Sequence, residues 1–374
     1  MTRLFEETAI KSMRMKNRIV RSATWEGMCE DDGRPTPKLI DFYVDLAEGG
    51  VGLIISSYAF VSPEGKQLPG KLGIQTDDFA DEFRQMTDAV HGAGGTIAIQ
   101  MVHAGGQANP KTSGMPALAP SGGKVAQFPA EAAELSVDDI SRIVTAFAEG
   151  ARRAKEWGFD GVQLHGAHGY LINQFLSPLT NRRTDTYGGS IENRCRFLME
   201  VYQAVREQVG DDYPVMIKLN LADNLEGGLE VSDGLVAAEK LGVAGIDAIE
   251  VSSGTPASGE MGPSRPKINK PEREAYNMAL AKQVQKVVKC PVMVVGGFRS
   301  YEVSESAVGE GGVDYIAMSR PFIREPGLAG RWSGGDRSPS TCVSCGKCFI
   351  PGLKEGGIYC VTEKKLQERA ATQA

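Results

Sequence analysis

Three cysteines, Cys342, Cys345 and Cys348, are separated by two residues each near the end of this chain, and Cys360 follows after eleven intervening residues. Four thiols at that spacing, in a chain without secretory features, suit metal ligation better than disulfide pairing. Upstream, His165-Gly-Ala-His168-Gly-Tyr170 ends an apolar run. Imidazoles spaced i, i+3 just past a strand can face one point. Two neutral donors aimed at one oxygen would stabilise a developing enolate or phenolate. Tyr170 adds a hydroxyl that can give up a proton. A metal at this motif would need a third protein ligand, and no acidic residue lies within it. A satisfied buried histidine pair is the plainer alternative. Of the other histidines, His91 reads as a helix-end surface residue and His103 as support for a loop.

The elements that must position these groups alternate between strand and helix. Short β-branched, apolar runs occur at Arg18–Ala23, Gly52–Ser57, Thr96–Val102, Gly161–Gly166, Val215–Asn220, Ala248–Ser253, Val292–Gly296 and Tyr315–Ser319. Helical patterns lie between them at Pro37–Glu48, Asp78–Gly92, Val137–Trp157, Ser190–Val209, Ser232–Leu241, Glu272–Val288 and Tyr301–Gly309. Ser136 and Ser190 supply start signals, and Gly158, Gly210, Gly242 and Gly311 fall where helices should stop. Strands this apolar are buried on both faces, as parallel strands covered by helices must be. The pattern predicts a (β/α)8 TIM barrel with a short, polar, cysteine-rich C-terminal tail. A Rossmann-type sheet is the alternative, but no Gly-x-Gly-x-x-Gly follows the first strand. The expected division is a barrel over residues 1–335 and a tail over 336–374. The long connections Asn109–Glu134 and Gly254–Pro271 should shape the mouth.

A barrel keeps its site at the C-terminal strand ends. That rule nominates Ala23, Thr24 and Trp25 after the first strand, Tyr58 after the second and Gln100 on the third. It nominates His165, His168 and Tyr170 after the fourth, Lys218 on the fifth and Ser253 after the sixth. Gly296-Gly297 and Ser319-Arg320 end the last two strands. There, glycine lets backbone N–H groups approach an anion, and Arg320 adds a fixed positive charge, so a phosphate site is expected. Two tight turns that happen to use glycine are the alternative. Lys218 could stabilise negative charge on a reduced cofactor ring, and Gln100 could pair with the edge of a polar heterocycle. An isoalloxazine suits both groups better than a nicotinamide.

Composition narrows the partners. The net charge of −6 is dispersed over 374 residues with no basic tract, which argues against nucleic acid or a membrane surface. No apolar run is long enough to span a bilayer, and the N-terminus lacks the apolar region of a signal peptide. Cys29, Cys195 and Cys290 are scattered singly, as in reduced, cytoplasmic proteins.

With these residues in view, the chain resembles the old yellow enzyme family of FMN-dependent NAD(P)H oxidoreductases. The most specific stretch runs from His165 to Arg194 and includes Asn173-Gln174-Phe175-Leu176-Ser177-Pro178 and Tyr187-Gly188-Gly189-Ser190. Asn17-Arg18-Ile19-Val20, Gly52-Leu53-Ile54-Ile55, Gln100-Met101-Val102-His103 and Ser319-Arg320 support it. The resemblance implies that Gln100 and Lys218 contact the flavin pyrimidine edge, and that Gly297, Ser319 and Arg320 hold its phosphate. It implies that His165 and His168 bind a substrate carbonyl, and that Tyr170 donates a proton to the carbon alpha to it. Hydride would pass from NADH or NADPH through FMN to a carbonyl-activated alkene. Lys218 stands where the family usually has arginine. Trp25 replaces a Thr, Cys or His, and Tyr58 occupies a position that is often small. The tail resembles the iron–sulfur segment of the branch that includes 2,4-dienoyl-CoA reductase and trimethylamine dehydrogenase. Cys342, Cys345, Cys348 and Cys360 would then hold one [4Fe–4S] cluster, with zinc or a metal-free tail as alternatives. The expectation is an ene-reductase or dienoyl reductase that forms a homo-oligomer. The alternative is an amine-oxidising or electron-transfer flavoprotein, with Trp25 and Tyr58 contributing to an aromatic cage.

Overall fold

The computed structural model describes residues 2–309 and 311–373. Eight parallel strands close into a barrel: β1 (Ile19–Arg21), β2 (Leu53–Phe60), β3 (Ile97–Val102), β4 (Gly161–Gly166), β5 (Val215–Asn220), β6 (Ala248–Ser252), β7 (Val292–Val295) and β8 (Tyr315–Met318). Each strand pairs with its sequence neighbour, and β8 pairs with β1 to close the ring. All eight apolar runs are barrel strands.

Alternation along the strands splits the core into two layers. Val20, Leu53, Ile55, Ala98, Met216, Ala248, Met293 and Ala317 pack together inside the barrel. Ile10, Met13 and Met15 from an antiparallel hairpin, Thr8–Ile10 with Met13–Met15, pack against them and plug the N-terminal end. Residues pointing outward pack under the helices, for example Tyr43 and Leu46 of Pro37–Glu48, Phe83 and Met86 of Ala80–Gly92, and Ile143 and Phe147 of Val137–Glu156. Local signals fix the helix starts. Thr36 accepts from the Leu39 N–H ahead of Pro37, and Ser136 forms a capping box with Asp139.

Several boundaries differ from the sequence expectation. The pattern over Ser190–Val209 breaks at Cys195 into Ile191–Arg194 and Arg196–Val209. The helix expected from Glu272 begins only at Met278 and ends at Val284. Ala275 has a left-handed φ of 51°, and the Asn277 side chain bonds Val295 O and Ser253 Oγ instead of continuing a helix. The helix expected to stop at Gly242 runs on to Ala244 and is capped by Gly245 at φ 90°. The strand β2 passes through Tyr58, with a register irregularity between Ile55 and Tyr58. The tail is not an irregular polar segment. It contains helices at Phe349–Lys354 and Val361–Gln373 and folds back over the barrel mouth. Ser340 and Arg299 exchange hydrogen bonds, Ile358 N–H donates to Glu26 O, and Arg324 pairs with Glu363 at 3.0 Å. Among the described residues no helix is long and apolar enough to cross a membrane.

Just above the inner core, Arg21 and Glu26 form an ion pair in which each side chain is 1% exposed. Tyr43 Oη donates to Glu26 at 3.1 Å and accepts from the Ser57 N–H at 2.7 Å. Burial pushes the Glu26 carboxyl up, and Arg21 opposes it. Truncating one partner leaves the other charge buried and unpaired. Glu26→Ala should therefore lose about 3–5 kcal/mol, read as a lower urea midpoint, while an Arg21→Met/Glu26→Leu double variant loses less. Equal midpoints for native protein and Glu26→Ala would contradict this assignment.

Candidate active site

A cavity of about 1020 Å³, its open mouth included, lies at the C-terminal ends of the strands. Ala23, Thr24, Trp25, Tyr58, Lys218, Gly297, Ser319 and Arg320 line it, together with His168 and Tyr170. The sequence rule about strand ends thus brings ten of its candidates to one space.

His165, His168 and Tyr170 form one wall. Their rings meet edge to face, His165 to His168 at 5.2 Å and His165 to Tyr170 at 4.7 Å between centroids. His165 lies just behind the cavity surface. Its Nδ1 accepts the Ala167 N–H at 3.4 Å, which leaves Nε2 to carry the proton. His168 holds a left-handed φ of 60°, a strained conformation for a residue with a side chain. Its ring sits 2.7 Å from Ser252 Oγ, Gln107 Nε2 donates to its carbonyl, and Asn173 Oδ1 accepts the following N–H. Burial, with Lys218 adding to it, brings His168 down to about 3. Burial, His168 and Lys218 hold His165 well below its usual range. Both imidazoles are neutral near pH 7, as hydrogen-bond donors to a carbonyl oxygen should be. The Tyr170 hydroxyl donates to Gln67 Oε1 at 2.7 Å, and burial pushes it up to about 12.

A polar layer crosses the barrel below this wall. Lys218 Nζ lies 2.8 Å from Ser22 Oγ and 3.3 Å from Glu250 Oε1. Ser22 Oγ also donates to Glu250, and Gln163 Nε2 donates to its second oxygen at 2.9 Å. Gln100 Nε2 donates to Gln163 Oε1 at 2.6 Å. Strand register makes the chain possible, because Gln100 pairs with Gln163, His165 with Lys218 and Lys218 with Glu250. Burial lowers Lys218, and Glu250 opposes the shift. Lys218 is therefore a paired cation rather than a free one. Glu250, Gln163 and Ser22 were missed in the sequence. The available signal was a carboxylate inside the apolar run Ala248–Ser253, which requires a buried partner.

Besides His165, three candidates support the site without lining it. Gln100 is fully buried beneath Gln163, and its Oε1 has no partner among the described residues. Ser253 Oγ donates to Asn277 Oδ1 at 2.8 Å. Gly296 O accepts the Tyr276 N–H, and a Cβ at this glycine would come within 3.0 Å of Asn277 N.

At the opposite end, Gly297 has φ 78°, and a Cβ there would come within 3.0 Å of the Tyr276 ring. Tyr276 is covered by the Arg265 guanidinium at 4.2 Å. Arg320 Nη2 donates to Arg265 O at 2.8 Å, and Ser319 Oγ lies 2.6 Å from Thr24 Oγ1. These groups make a positively charged cradle in which backbone can approach an anion. Trp25 closes the near side. Its Nε1 donates to Pro69 O at 3.0 Å, and its ring packs so tightly on Gly352 of the tail that a Cβ there would sit 2.8 Å away.

Behind Arg320 lies a second hollow of about 310 Å³, including its mouth, lined by Cys342, Cys345, Cys348 and Cys360. Arg320 borders both spaces. Burial raises the Cys342 and Cys348 thiols, Cys348 to about 11, and Arg320 opposes both shifts. His91 and His103 take the supporting roles expected of them. His91 bridges to Asp160 at a helix end, and His103 Nδ1 accepts the Gly105 N–H.

The description NADH:flavin oxidoreductase / NADH oxidase family fits residues 3–336. The NADH oxidase of Thermoanaerobacter brockii is 37% identical over 354 residues, covering 93% of this chain and 54% of that protein. The NADPH dehydrogenase of Halalkalibacterium halodurans is 36% identical over 329 residues, covering 87% of this chain and 92% of that one. Among solved structures, an old yellow enzyme homologue from Zymomonas mobilis superposes with a TM-score of 0.77 at 29% identity, over 91% of this chain and 95% of that one. The chain thus spans about half the length of the Thermoanaerobacter relative and nearly all of a short NADPH dehydrogenase. The barrel, its mouth and these similarities agree: the chain belongs to the NADH:flavin oxidoreductase / NADH oxidase family.

Proposed function

We propose that the protein is an FMN-dependent oxidoreductase that passes hydride from NADH or NADPH to a carbonyl-activated alkene, as an ene-reductase or dienoyl reductase. The observation that carries this reading is the convergence of two neutral imidazoles and a phenol on one wall of a cavity whose far end is a cationic cradle. The residues present fit FMN. Gly297, Ser319 and Arg320 would hold its phosphate, and Lys218 would face the ring edge that becomes anionic on reduction. Ala23, Thr24, Trp25 and Tyr58 would wall the ring. Gln100, through its unpaired buried oxygen and Gln163, would fix the polar edge from below, with Ser253 and Gly296 bracing the turns. When bound, FMN supplies a two-electron carrier between nicotinamide and alkene.

The chain's own residues do the rest. His165 and His168 donate to the substrate carbonyl and stabilise the charge that develops there. Tyr170 delivers the proton to the α-carbon, and Gln67 orients its hydroxyl. The amine-oxidising alternative fares worse. Its cationic substrate would sit in the same cavity as the Lys218 ammonium. A cytoplasmic location is part of this reading, supported by seven free cysteines. So is self-association, supported by Val343, Ile350 and Leu353 exposed on the tail.

Separate half-reactions test the reading. With flavin bound, Tyr170→Phe should slow reoxidation by an enone by about 10²-fold or more while leaving reduction by NAD(P)H nearly unchanged. Equal slowing of both half-reactions, or of neither, would refute the assigned role.

The barrel over residues 1–335 would carry the flavin, and the tail over 336–374 one [4Fe–4S] cluster. Four cysteines around one hollow support this, as does their shared wall with the cofactor cavity at Arg320. Zinc held by the same four thiolates is the rival; among the described residues no group of three or more His, Cys, Asp or Glu is placed to hold a metal ion. Anaerobically prepared protein should contain about four iron and four sulfide per chain. One zinc, or no metal, would exclude the cluster.

A further inference from the structure

Lys71 is the anomaly of the site. Its side chain is fully buried, and Nζ has no hydrogen-bond partner among the described residues. Buried lysines normally pair, or extend their ammonium to water. Lys71 does neither. Its Nζ lies 4.4 Å from the centroid of the Tyr58 ring and 5.4 Å from that of Tyr170. Those two rings line the cavity, and Lys71 does not.

The chain holds it there. Gly70, with φ 54°, packs so closely on Gly27 that a Cβ would come within 2.9 Å of its backbone. The Cys29 N–H donates to Gly70 O, the Phe60 N–H to Leu72 O, and Trp25 to Pro69 O. Pinned on both sides of Lys71, the segment cannot swing its amine to solvent. The carboxylate in the same connection, Glu64, is engaged by Arg142 and lies 3.7 Å from His103. The ionisable groups that face Lys71 are Tyr58, Tyr170, His103, His165 and Lys66. None of them is a carboxylate.

We propose that Lys71 is a positioning residue for proton delivery, a switchable cation behind Tyr170 that takes up charge as the Tyr170 phenolate forms. The inference rests on the ene-reductase reading. As hydride reaches the β-carbon, the Tyr170 O–H bond breaks and its proton forms the C–H bond at the α-carbon. A buried phenolate remains. The Lys71 amine stays in place; a proton entering from the cavity mouth through the wall of Tyr58 and Tyr170 reaches it, offsets that charge, and then restores the phenol. One hydride and one solvent proton are consumed per alkene. Burial, reinforced by Lys66, holds the amine well below the usual lysine range, which favours its uncharged form while Tyr170 keeps its proton. A neighbouring phenolate raises its proton affinity.

The test uses flavin-loaded protein, 2-cyclohexenone as the alkene, and rapid-mixing measurement of each half-reaction across the neutral and alkaline range. Lys71→Met keeps the length and removes the charge, and Lys71→Gln guards against a packing effect. Both variants should bind flavin and be reduced by NAD(P)H normally, yet be reoxidised about tenfold or more slowly. The pH profile of reoxidation should lose one ionisation. In a Tyr170→Phe background the same substitutions should have no further effect. Reoxidation within about twofold of native with an unchanged profile would overturn the proposal. So would equal slowing in the Tyr170→Phe background. If native protein takes hydride from NAD(P)H but never passes it to the enone, the ene-reductase reading falls and this inference falls with it.

Discussion

The arrangement of the mouth depends on a buried charge pair inside the barrel. Lys218 and Glu250 face each other from adjacent strands, with side chains 3% and 0% exposed. Burying either charge without the other would be costly. Ser22 joins both groups, and Gln163 satisfies the second carboxylate oxygen and passes the chain on to Gln100. Such a network tolerates few substitutions, because removing one member strands the others in a low-dielectric interior. It marks the level at which the apolar barrel core ends and the cavity begins. His165 sits in register with Lys218, so the network also sets the height of the imidazole wall. The positive field of Lys218 helps keep both histidines neutral.

Much of this was legible in the sequence because the barrel writes itself in period and punctuation. Parallel strands buried on both faces leave continuous apolar runs, and caps such as Ser136 announce the next helix. The strand-end rule then located Thr24, Tyr58, Lys218, Gly297 and Arg320 without knowledge of any contact. What escaped was pairwise. Glu250 looks like an interruption in a strand until Lys218 lies opposite it. Lys71 looks like an ordinary loop lysine until Gly70 and Trp25 pin its segment inward. Tyr58 seemed to lie beyond its strand, because a register irregularity carries β2 further than the apolar run indicates. The tail helices were missed because little apolar periodicity marks them. They are held by contacts to Glu26, Arg299 and Arg324.

The tail belongs to the site in a physical sense. Ser344 and Phe349 line the cofactor cavity, and Gly352 supports Trp25. Arg320 separates the cavity from the cysteine hollow and touches the tail through Ser344 O. A change in the charge of one space is therefore felt in the other through a single guanidinium. This proximity couples folding of the tail to the shape of the cavity.

The central claim is that His165 and His168 present a neutral, two-donor site for an oxygen above a bound flavin. The most direct measurement is titration of oxidised, flavin-loaded protein with a para-substituted phenol, followed by absorbance. A phenolate held by both imidazoles over the flavin ring should give a saturable long-wavelength charge-transfer band. In a His165→Ala/His168→Ala variant with full flavin content, Kd for the phenol should rise about tenfold or more, as expected for the loss of two buried hydrogen bonds. A native protein that binds flavin fully but gives no band, or a variant with unchanged phenol affinity, would contradict the account.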